Sequence, residues 1–215
     1  MSLDIPSLPL HNTKTLKERR TQLANLCMTT YQCEGDKEQL EELYSVLELL
    51  QNAKEPILDN RRGKLWFGCI VKQLGGNWED VVCRGEVAYF DYDGESLCME
   101  QDTDWCEQAG FRDFLEKRFP GIKIYYLEIE PCSAWGGTND VEGKYFPDRY
   151  YMSVFDGYEF FCSLEEVAER VSKVVGVNVP PDFSLLSDIL DEYTEEHEDD
   201  EVESYYNLYE IELVD

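Results

Sequence analysis

Between residues 23 and 130 the spacing of hydrophobic residues alternates between the period of a strand and that of a helix. The segment Leu23–Cys33 is rich in Thr, Tyr and Cys, which is typical of a strand. Asp36 followed by Gln39 resembles a capping box at the start of a helix. The apolar residues that follow have the i, i+3, i+4, i+7 spacing of one buried helical stripe, and they are Leu40, Leu43, Tyr44, Leu47 and Leu50.

Three further strands are predicted before residue 102. Leu65–Leu74 is a compact apolar run of strand length. Cys83–Tyr92 alternates in polarity, and Asp93 and Gly94 follow it as the dipeptide that a tight hairpin favours, because both turn residues need a positive φ. Ser96–Gln101 is therefore expected to be the return strand of this hairpin.

A second helix and a last strand complete this region. Asp104 with Glu107 forms another capping box, which predicts a helix beginning there. Pro120 and Gly121 would end that helix. Ile122–Ile129 then has the composition and length of a strand.

The resulting order is strand, helix, strand, hairpin, helix, strand, which places the chain in the α+β class. It predicts a ferredoxin-like split β-α-β sandwich, in which two helices cover one face of an antiparallel sheet, with one added β-hairpin. Beyond it, Arg149–Phe155 and Tyr158–Cys162 predict another hairpin. Ser163 with Glu166 is a third capping box, and it opens a C-terminal helix that Gly176 closes as the C′ residue.

Three regions are expected along the chain. Residues 1–20 contain two prolines and scattered charge, and they predict an N-terminal arm. Residues 21–180 form the ferredoxin-like α+β domain with its hairpin and helix extension. Residues 181–215 form an acidic tail, in which 185–193 permit a short helix and 205–214 an edge strand.

The charge of the chain excludes several classes of protein. Its 46 Asp and Glu residues against 19 Lys and Arg residues give a formal charge of −27. Contact with phosphates needs a basic surface, so direct nucleic-acid binding is not expected. No apolar run approaches the roughly 20 residues that a membrane-spanning helix needs, so a membrane protein is not expected either.

The cysteines and histidines indicate neither disulfides nor a metal site. The N-terminus lacks the basic start and apolar run of a signal peptide, so we expect a cytoplasmic protein whose eight cysteines are reduced. There is no Cys-x-x-Cys pair, and His11 and His197 both lie near the ends of the chain. No P-loop or dinucleotide-binding glycine pattern occurs. The sequence therefore predicts no metal and no cofactor. Five cysteines lie in apolar segments and are expected in the core, namely Cys27, Cys33, Cys69, Cys83 and Cys162.

Several short motifs resemble those of the YubB/Api-type ferredoxin-like proteins of phages, plasmids and conjugative elements. They cover about residues 23–176 and comprise Ala24-Asn25-Leu26-Cys27, Glu34-Gly35-Asp36, Gly75-Gly76-Asn77-Trp78, Asp104-Trp105-Cys106, Phe119-Pro120 and Tyr125–Asn139. The resemblance implies a ferredoxin-like fold and a mobile-element origin, and it supplies no catalytic residues. The chain departs from the family at Leu26, where the family tends to have Trp, and in its arm and acidic tail.

Two groups of residues are candidates for a ligand site. Glu128 and Glu130 lie two apart on a predicted strand, so their carboxyl groups are expected on one face, where Asp102, Asp104 and Glu107 could approach them. Two such carboxyl groups could work as an acid/base pair or hold a divalent cation, and exposed charge on a sheet explains them equally well.

The second group lies in the predicted loop 131–143, which combines Trp135 with Asn139 and Asp140. Loops on a rigid scaffold often carry binding residues. With Trp78 and Trp105 nearby, this loop would form an aromatic and carboxamide pocket. The alternative is that Trp135 packs the loop onto the core.

Three functions remain open at this stage. The first is a non-enzymatic accessory protein of a mobile element that binds a basic or DNA-handling protein through its acidic surface. The second is a small enzyme or ligand-binding domain that uses the loop 131–143. The third is a DNA mimic of the anti-restriction type, with carboxylates spaced like phosphates. No catalytic residue is predicted, and the sequence does not determine the oligomeric state.

Overall fold

The computed structural model describes residues 26–155, 157–197 and 205–214. The predicted N-terminal arm, residues 1–20, lies outside these residues. Part of the predicted acidic tail, residues 198–204 and 215, also lies outside them.

The described residues form a mixed α+β fold with one eight-stranded curled sheet and five α-helices. The strands are β1 (Leu26–Gly35), β2 (Gly85–Tyr92), β3 (Ser96–Asp104), β4 (Ile122–Glu130), β5 (Trp135–Thr138), β6 (Tyr150–Val154), β7 (Gly157–Phe161) and β8 (Asn207–Leu213). The helices are α1 (Lys37–Asn52), α2 (Phe67–Gln73), α3 (Ala109–Arg118), α4 (Leu164–Val175) and α5 (Phe183–Glu196), and a 3-10 turn spans Trp78–Asp80.

The strand order across the sheet is β2-β3-β1-β4-β5-β8-β6-β7. Neighbouring strands pair antiparallel except β5 and β8, which are parallel. The sheet is therefore larger than the sheet expected from the sequence, because β5 and the last strand β8 join the two hairpins into one layer.

The main core lies between α1, α2 and α3 and one face of strands β1 to β4. Alternate residues of β1 and β3, including Tyr31, Cys33, Leu97 and Met99, point into it and are fully buried. The predicted stripe of α1 is confirmed, since Leu40, Leu43, Leu47 and Leu50 are buried and Asp36 caps the helix by accepting a hydrogen bond from the Gln39 N–H at 3.0 Å.

A second core lies under α4 and α5, where Met152 of β6 and Leu208 of β8 are buried. Helix α4 begins and ends as the sequence predicts. Ser163 accepts a hydrogen bond from the Glu166 N–H, and Gly176 takes the left-handed conformation at φ 74°. Met152 and Leu208 alternate with Tyr151 and Tyr209 along their strands, so the second core lies on the same side of the sheet as the main core. No helix among the described residues covers the other side. We call this side the open face.

The predicted strand Leu65–Leu74 is wrong, because residues 67–73 form α2. Five consecutive residues, from Phe67 to Val71, are buried on all sides, and such a run has no period that distinguishes a strand from a helix. The Phe67 ring stacks on Phe111 of α3 at a centroid distance of 4.0 Å, so packing between helices decides the conformation.

The predicted helix start at Asp104 is also wrong. Strand β3 continues through Asp104, and α3 begins at Ala109. The Asp104 carboxylate accepts two hydrogen bonds from the Arg62 guanidinium at 2.5 and 2.6 Å. The Glu107 side chain enters the core, where the Tyr31 hydroxyl donates to it. Both capping side chains therefore have other partners.

Two predictions about the second half of the chain need correction. The predicted loop 131–143 contains β5, which pairs with β4 on one side and β8 on the other. The end of the tail, predicted as an edge strand, is β8, and it lies between β5 and β6 inside the sheet. Its buried residues Leu208 and Ile211 explain this position. Within the part of the chain that is described, no helix is long and apolar enough to span a bilayer.

Candidate functional site

The open face carries a row of carboxylates on its β2–β3 side. The outward residues of β3 include Glu100, Asp102 and Asp104, which lie about 6.8 Å apart because alternate residues of a strand share a face. On the neighbouring strand, Glu86 pairs directly with Asp102, and Asp91 pairs with Cys98. We call these five carboxylates, Glu86, Asp91, Glu100, Asp102 and Asp104, the acidic strip. Tyr89, which is 52% exposed, pairs with Glu100 within the strip.

On the strands next to the acidic strip, the same face of the sheet is apolar. In the sheet register Asp102 pairs with Met28, and Met28 pairs with Ile129. Gly136 pairs with Ile129 and with Ile211. We call Met28, Leu127, Ile129 and Ile211 the apolar floor; Ile129 and Ile211 are buried, whereas Met28 and Leu127 are half-buried. Tyr151, Tyr158, Phe160 and Tyr209 lie next to it on β6, β7 and β8 and form an aromatic flank.

Because Gly136 has no side chain, Tyr151 of the aromatic flank can approach Ile129 of the apolar floor. A Cβ atom at this position would lie 2.7 Å from Ile129 Cδ1 and 3.0 Å from Tyr151 Cε1. The Tyr151 ring therefore lies over β5 and contacts the side chains of β4. The Tyr151 hydroxyl is buried and has no hydrogen-bond partner among the described residues.

A cleft of about 210 Å³ lies at the end of the acidic strip, where β3 meets α3. Trp105 lines it, is 60% exposed and has a φ of 73°, a left-handed conformation that bulky residues seldom adopt. Val82, which is 55% exposed, and Arg84 also line the cleft. The volume is below the roughly 300 Å³ of typical small-molecule pockets, and it suits a single inserted side chain.

Two buried carboxyl groups lie beneath this cleft. Glu128 of β4 accepts a hydrogen bond from the Glu107 backbone N–H at 2.5 Å and one from the Cys27 thiol at 3.4 Å. The Glu107 carboxylate accepts from the Tyr31 hydroxyl and from Arg112 Nε, the latter at 3.1 Å. Of the three acids expected to approach Glu128, Glu107 does so through its backbone N–H, whereas Asp102 and Asp104 lie on the other face of the sheet.

Burial is the main cause of the pKa shifts of these two carboxyl groups. Loss of solvent raises the pKa of Glu128 to about 7, against the hydrogen bonds from the Glu107 N–H and Cys27. Burial also raises the pKa of Glu107, and the Tyr31 hydroxyl and the Arg112 guanidinium oppose that rise. Burial and the two carboxyl groups raise the pKa of the Cys106 thiol, which lines the cleft, so this cysteine is a weak nucleophile.

Of the three predicted tryptophans, the cleft includes Trp105 alone. Trp78 lies in the 3-10 turn and packs edge-on against Trp66 at a centroid distance of 5.4 Å. Trp135 begins β5, and its Nε1–H donates to the Glu212 carboxylate of β8 at 3.0 Å. These two side chains therefore hold neighbouring segments together.

The polar residues predicted near the loop 131–143 make local hydrogen bonds. Glu130 accepts from the backbone N–H of Cys132 at 3.2 Å and from Ser133. Asn139 bonds to the backbone of β4, accepting from the Tyr126 N–H at 2.7 Å.

Asp140 is buried and accepts from two backbone N–H groups, those of Tyr145 at 2.6 Å and Phe146 at 2.9 Å. The side chains of Trp135, Glu130, Asn139 and Asp140 thus all form hydrogen bonds within the fold. None of the four lines the Trp105 cleft.

The sequence did not identify the open face as a site. The alternation of Glu100, Asp102 and Asp104 was a usable signal, but the false helix start at Asp104 interrupted it. All eight cysteines are free thiols; Cys27, Cys33 and Cys69 are buried, whereas Cys162, expected in the core, is exposed. No group of His, Cys, Asp and Glu side chains within the described ranges is arranged to hold a metal ion.

Comparisons with protein-family models, with curated proteins and with solved structures found no significant match.

Proposed function

We propose that this protein is a non-enzymatic protein-binding module whose acidic strip binds a basic partner protein. The observation that carries the proposal is the acidic strip on two adjacent strands of a face that no described helix covers; Asp91 and Glu100 are exposed in it, whereas Asp104 is paired with Arg62. An acidic surface of this kind attracts basic partners and accelerates their association.

Exposed aromatic side chains near the strip support binding over mere solubility. Trp105 and Tyr89 are both more than half exposed near the strip, and these residue types often dominate the binding energy of an interface.

The test is affinity capture from a cell lysate with the full-length protein, with the Glu100→Lys variant and with a control. The control Glu169→Lys has the same change in charge on the exposed side of α4. We expect capture of basic proteins that Glu100→Lys loses and Glu169→Lys retains. Equal capture by all three, or no basic protein captured, would refute the proposal. A captured protein that duplex DNA displaces would favour the DNA-mimic alternative.

We also propose that residues 26–130 form a ferredoxin-like unit and that the chain is a relative of the YubB/Api-type proteins of mobile elements. The strand order β4-β1-β3-β2, with α1 and α2 between β1 and β2 and α3 between β3 and β4, supports the split β-α-β arrangement. A solved structure of a YubB/Api-type protein with the same strand order and helix placement would test this relationship.

A second candidate function is a small acid/base enzyme centred on Glu128. The favouring observation is a buried carboxyl group with a pKa of about 7 beneath a surface cleft, since such a group can both give and take a proton near neutral pH. A screen of hydrolase and isomerase substrates with wild-type protein and with Glu128→Gln tests it. Any activity that Glu128→Gln keeps unchanged would reject Glu128 as its acid or base.

A further inference from the structure

We infer that a proton on Glu128 controls the cleft segment, residues 105–108, which stays on the sheet while Glu128 is neutral and separates from it when Glu128 ionises. The cleft segment joins β3 to α3 and carries Trp105. The inference goes beyond the proposed function, because it concerns the cleft itself and requires no partner.

Two strand residues hold the cleft segment on the sheet. Glu128 of β4 accepts a hydrogen bond from the Glu107 backbone N–H at 2.5 Å. The hydroxyl group of Tyr31, on β1, donates to the Glu107 carboxylate and lies 3.5 Å from the Gln108 carbonyl oxygen. The carboxyl group of Glu128 is therefore one of the two strand side chains that anchor this segment.

The buried cluster around Glu128 contains more acid than base. Its members are Cys27, Tyr31, Glu107, Arg112 and Glu128, which together hold two carboxyl groups and one guanidinium. The guanidinium binds the Glu107 carboxylate at 3.1 Å. Glu128 is only 3% exposed, and its hydrogen-bond donors are an N–H group and a thiol. An ionised Glu128 is therefore a buried charge with no cation bound to it, which is unfavourable.

The other groups that face Glu128 do not compensate this charge. Strand β1 contributes Cys27 and Tyr31, the cleft segment contributes Cys106 and Glu107, α3 contributes Arg112, β4 itself contributes Tyr126 and Glu130, and on β5 the opposite residue is Gly137. Burial raises the pKa of Cys27 and that of Tyr126 to about 12, so both are neutral at neutral pH. For Glu128, burial outweighs the attraction of Arg112 and raises the pKa to about 7 from 4.5.

The cleft segment is the part of the cluster's surroundings that moves at least cost. Trp105 and Cys106 are exposed, and the left-handed φ of 73° at Trp105 is unfavourable for a bulky residue. The strands that carry the rest of the cluster, β1 and β4, are instead paired with neighbours on both sides. Separation of the segment therefore brings water to Glu128 and leaves the sheet intact.

Proton release and separation of the segment are linked thermodynamically. In the separated form Glu128 is hydrated, its pKa returns toward 4.5, and its proton passes to water. The ratio of separated to closed molecules therefore rises as the pH increases from 4.5 to about 7, and it levels off above that range. Acid favours the cleft, and base disfavours it.

The experiment measures alkylation of the Cys27 thiol by iodoacetamide in the full-length protein, with peptide mass spectrometry as the readout. Cys27 is fully buried and bonds to Glu128, so the reagent reaches it when the cleft segment separates. Cys33 lies further along the same strand in the main core and reports unfolding of the whole fold. The ratio of the two rates cancels the pH dependence of thiol alkylation. We expect this ratio to rise about tenfold from about pH 6 to about pH 8.

Two variants assign the effect to Glu128. Glutamine in Glu128→Gln stays neutral and still accepts a hydrogen bond from the Glu107 N–H, so the ratio should change less than about twofold over the same range. Glu130→Gln is the matched control, because Glu130 is equally buried on the same face of β4 and bonds to the backbone of residues 132 and 133. It should keep the tenfold rise. A rise that persists in Glu128→Gln would overturn the inference, since another group would then control the segment.

The wild-type protein decides the matter even where a variant does not fold. A ratio that is constant or falls between the two pH values in wild type would overturn the inference, because Cys27 would then become accessible only through unfolding of the whole fold or independently of Glu128. Loss of the rise in both variants would overturn it too, since the response would then belong to β4 in general.

Discussion

The backbone N–H of Glu107 donates a hydrogen bond to the Glu128 carboxyl group at 2.5 Å, across the gap between the loop before α3 and strand β4. This contact ties the segment that carries the Trp105 cleft to the centre of the sheet. Because Glu128 is buried, its protonation is linked to the stability of the fold.

The Glu128→Gln substitution should change how stability depends on pH. Burial raises the pKa of the folded-state carboxyl to about 7 from 4.5, so its favourable contribution is complete below pH 4.5 and is lost as the pH rises through 7. Glutamine stays neutral, so the variant should gain relative to wild type across that range, by up to about 3 kcal/mol. Urea unfolding at several pH values measures the difference. A difference that is constant with pH would contradict the raised pKa, and Glu79→Gln on the exposed 3-10 turn is the control.

Two tyrosines with buried hydroxyls should respond oppositely to loss of the hydroxyl group. The Tyr31 hydroxyl donates to Glu107, so Tyr31→Phe leaves a buried carboxylate with one partner fewer and should cost about 1 to 3 kcal/mol of unfolding free energy. The Tyr151 hydroxyl has no partner among the described residues, so Tyr151→Phe should be neutral or stabilising. Chemical denaturation of both variants gives the comparison. Equal destabilisation would show that the Tyr31–Glu107 hydrogen bond contributes nothing specific.

Gly136→Ala should disturb the packing of the aromatic flank on the apolar floor. The added Cβ would lie within 3.0 Å of both Ile129 and Tyr151, so the side chains must shift, at a cost of about 1 to 3 kcal/mol. Gly157 is the matched strand position, where a Cβ meets nothing within 4 Å. Thermal unfolding should place Gly157→Ala at or above wild type and Gly136→Ala below it. The reverse order would contradict the contact of Tyr151 with the floor.

Two substitutions at Trp105 should differ in their effect on stability and agree in their effect on binding. Its φ of 73° is unfavourable for a residue with a Cβ, so Trp105→Gly should be more stable than Trp105→Ala by about 1 kcal/mol. Both variants should bind the basic partner more weakly than wild type, since both lose the exposed indole. Denaturation and binding of the two variants test this. Unchanged binding in both would remove Trp105 from the interface.

Local patterns predicted the elements whose hydrophobic residues lie on one side. The stripe and cap of α1 and the capping box and glycine end of α4 follow directly from residue spacing, because both helices have a clear period. Strand β4 is buried on both faces and follows from its composition and length. Fully buried segments were harder to predict. Phe67–Gln73 is apolar throughout, so only its neighbours determine that it is a helix.

The helix start at Asp104 was mispredicted for a related reason. Asp104 and Glu107 have the spacing of a capping box, but a distant arginine, Arg62, binds the first and a distant tyrosine, Tyr31, binds the second. The candidate residues Asn139 and Asp140 similarly bond to backbone groups up to 15 residues away, as in the bond from Asn139 Nδ2 to the Ile124 carbonyl. Pairings of this kind are invisible to a search of local spacing.

The sequence by itself determined the charge of −27, the α+β class and the positions of the amphipathic helices, because composition and short-range periodicity suffice for these properties. The tertiary structure decided which charges lie together. The insertion of β8 between β5 and β6 joined two hairpins into one curled sheet, and the strand register then brought the carboxylates of β2 and β3 beside the apolar residues of β1 and β4. Register and strand order depend on contacts between residues far apart in the chain, so the open face exists only once those contacts have formed.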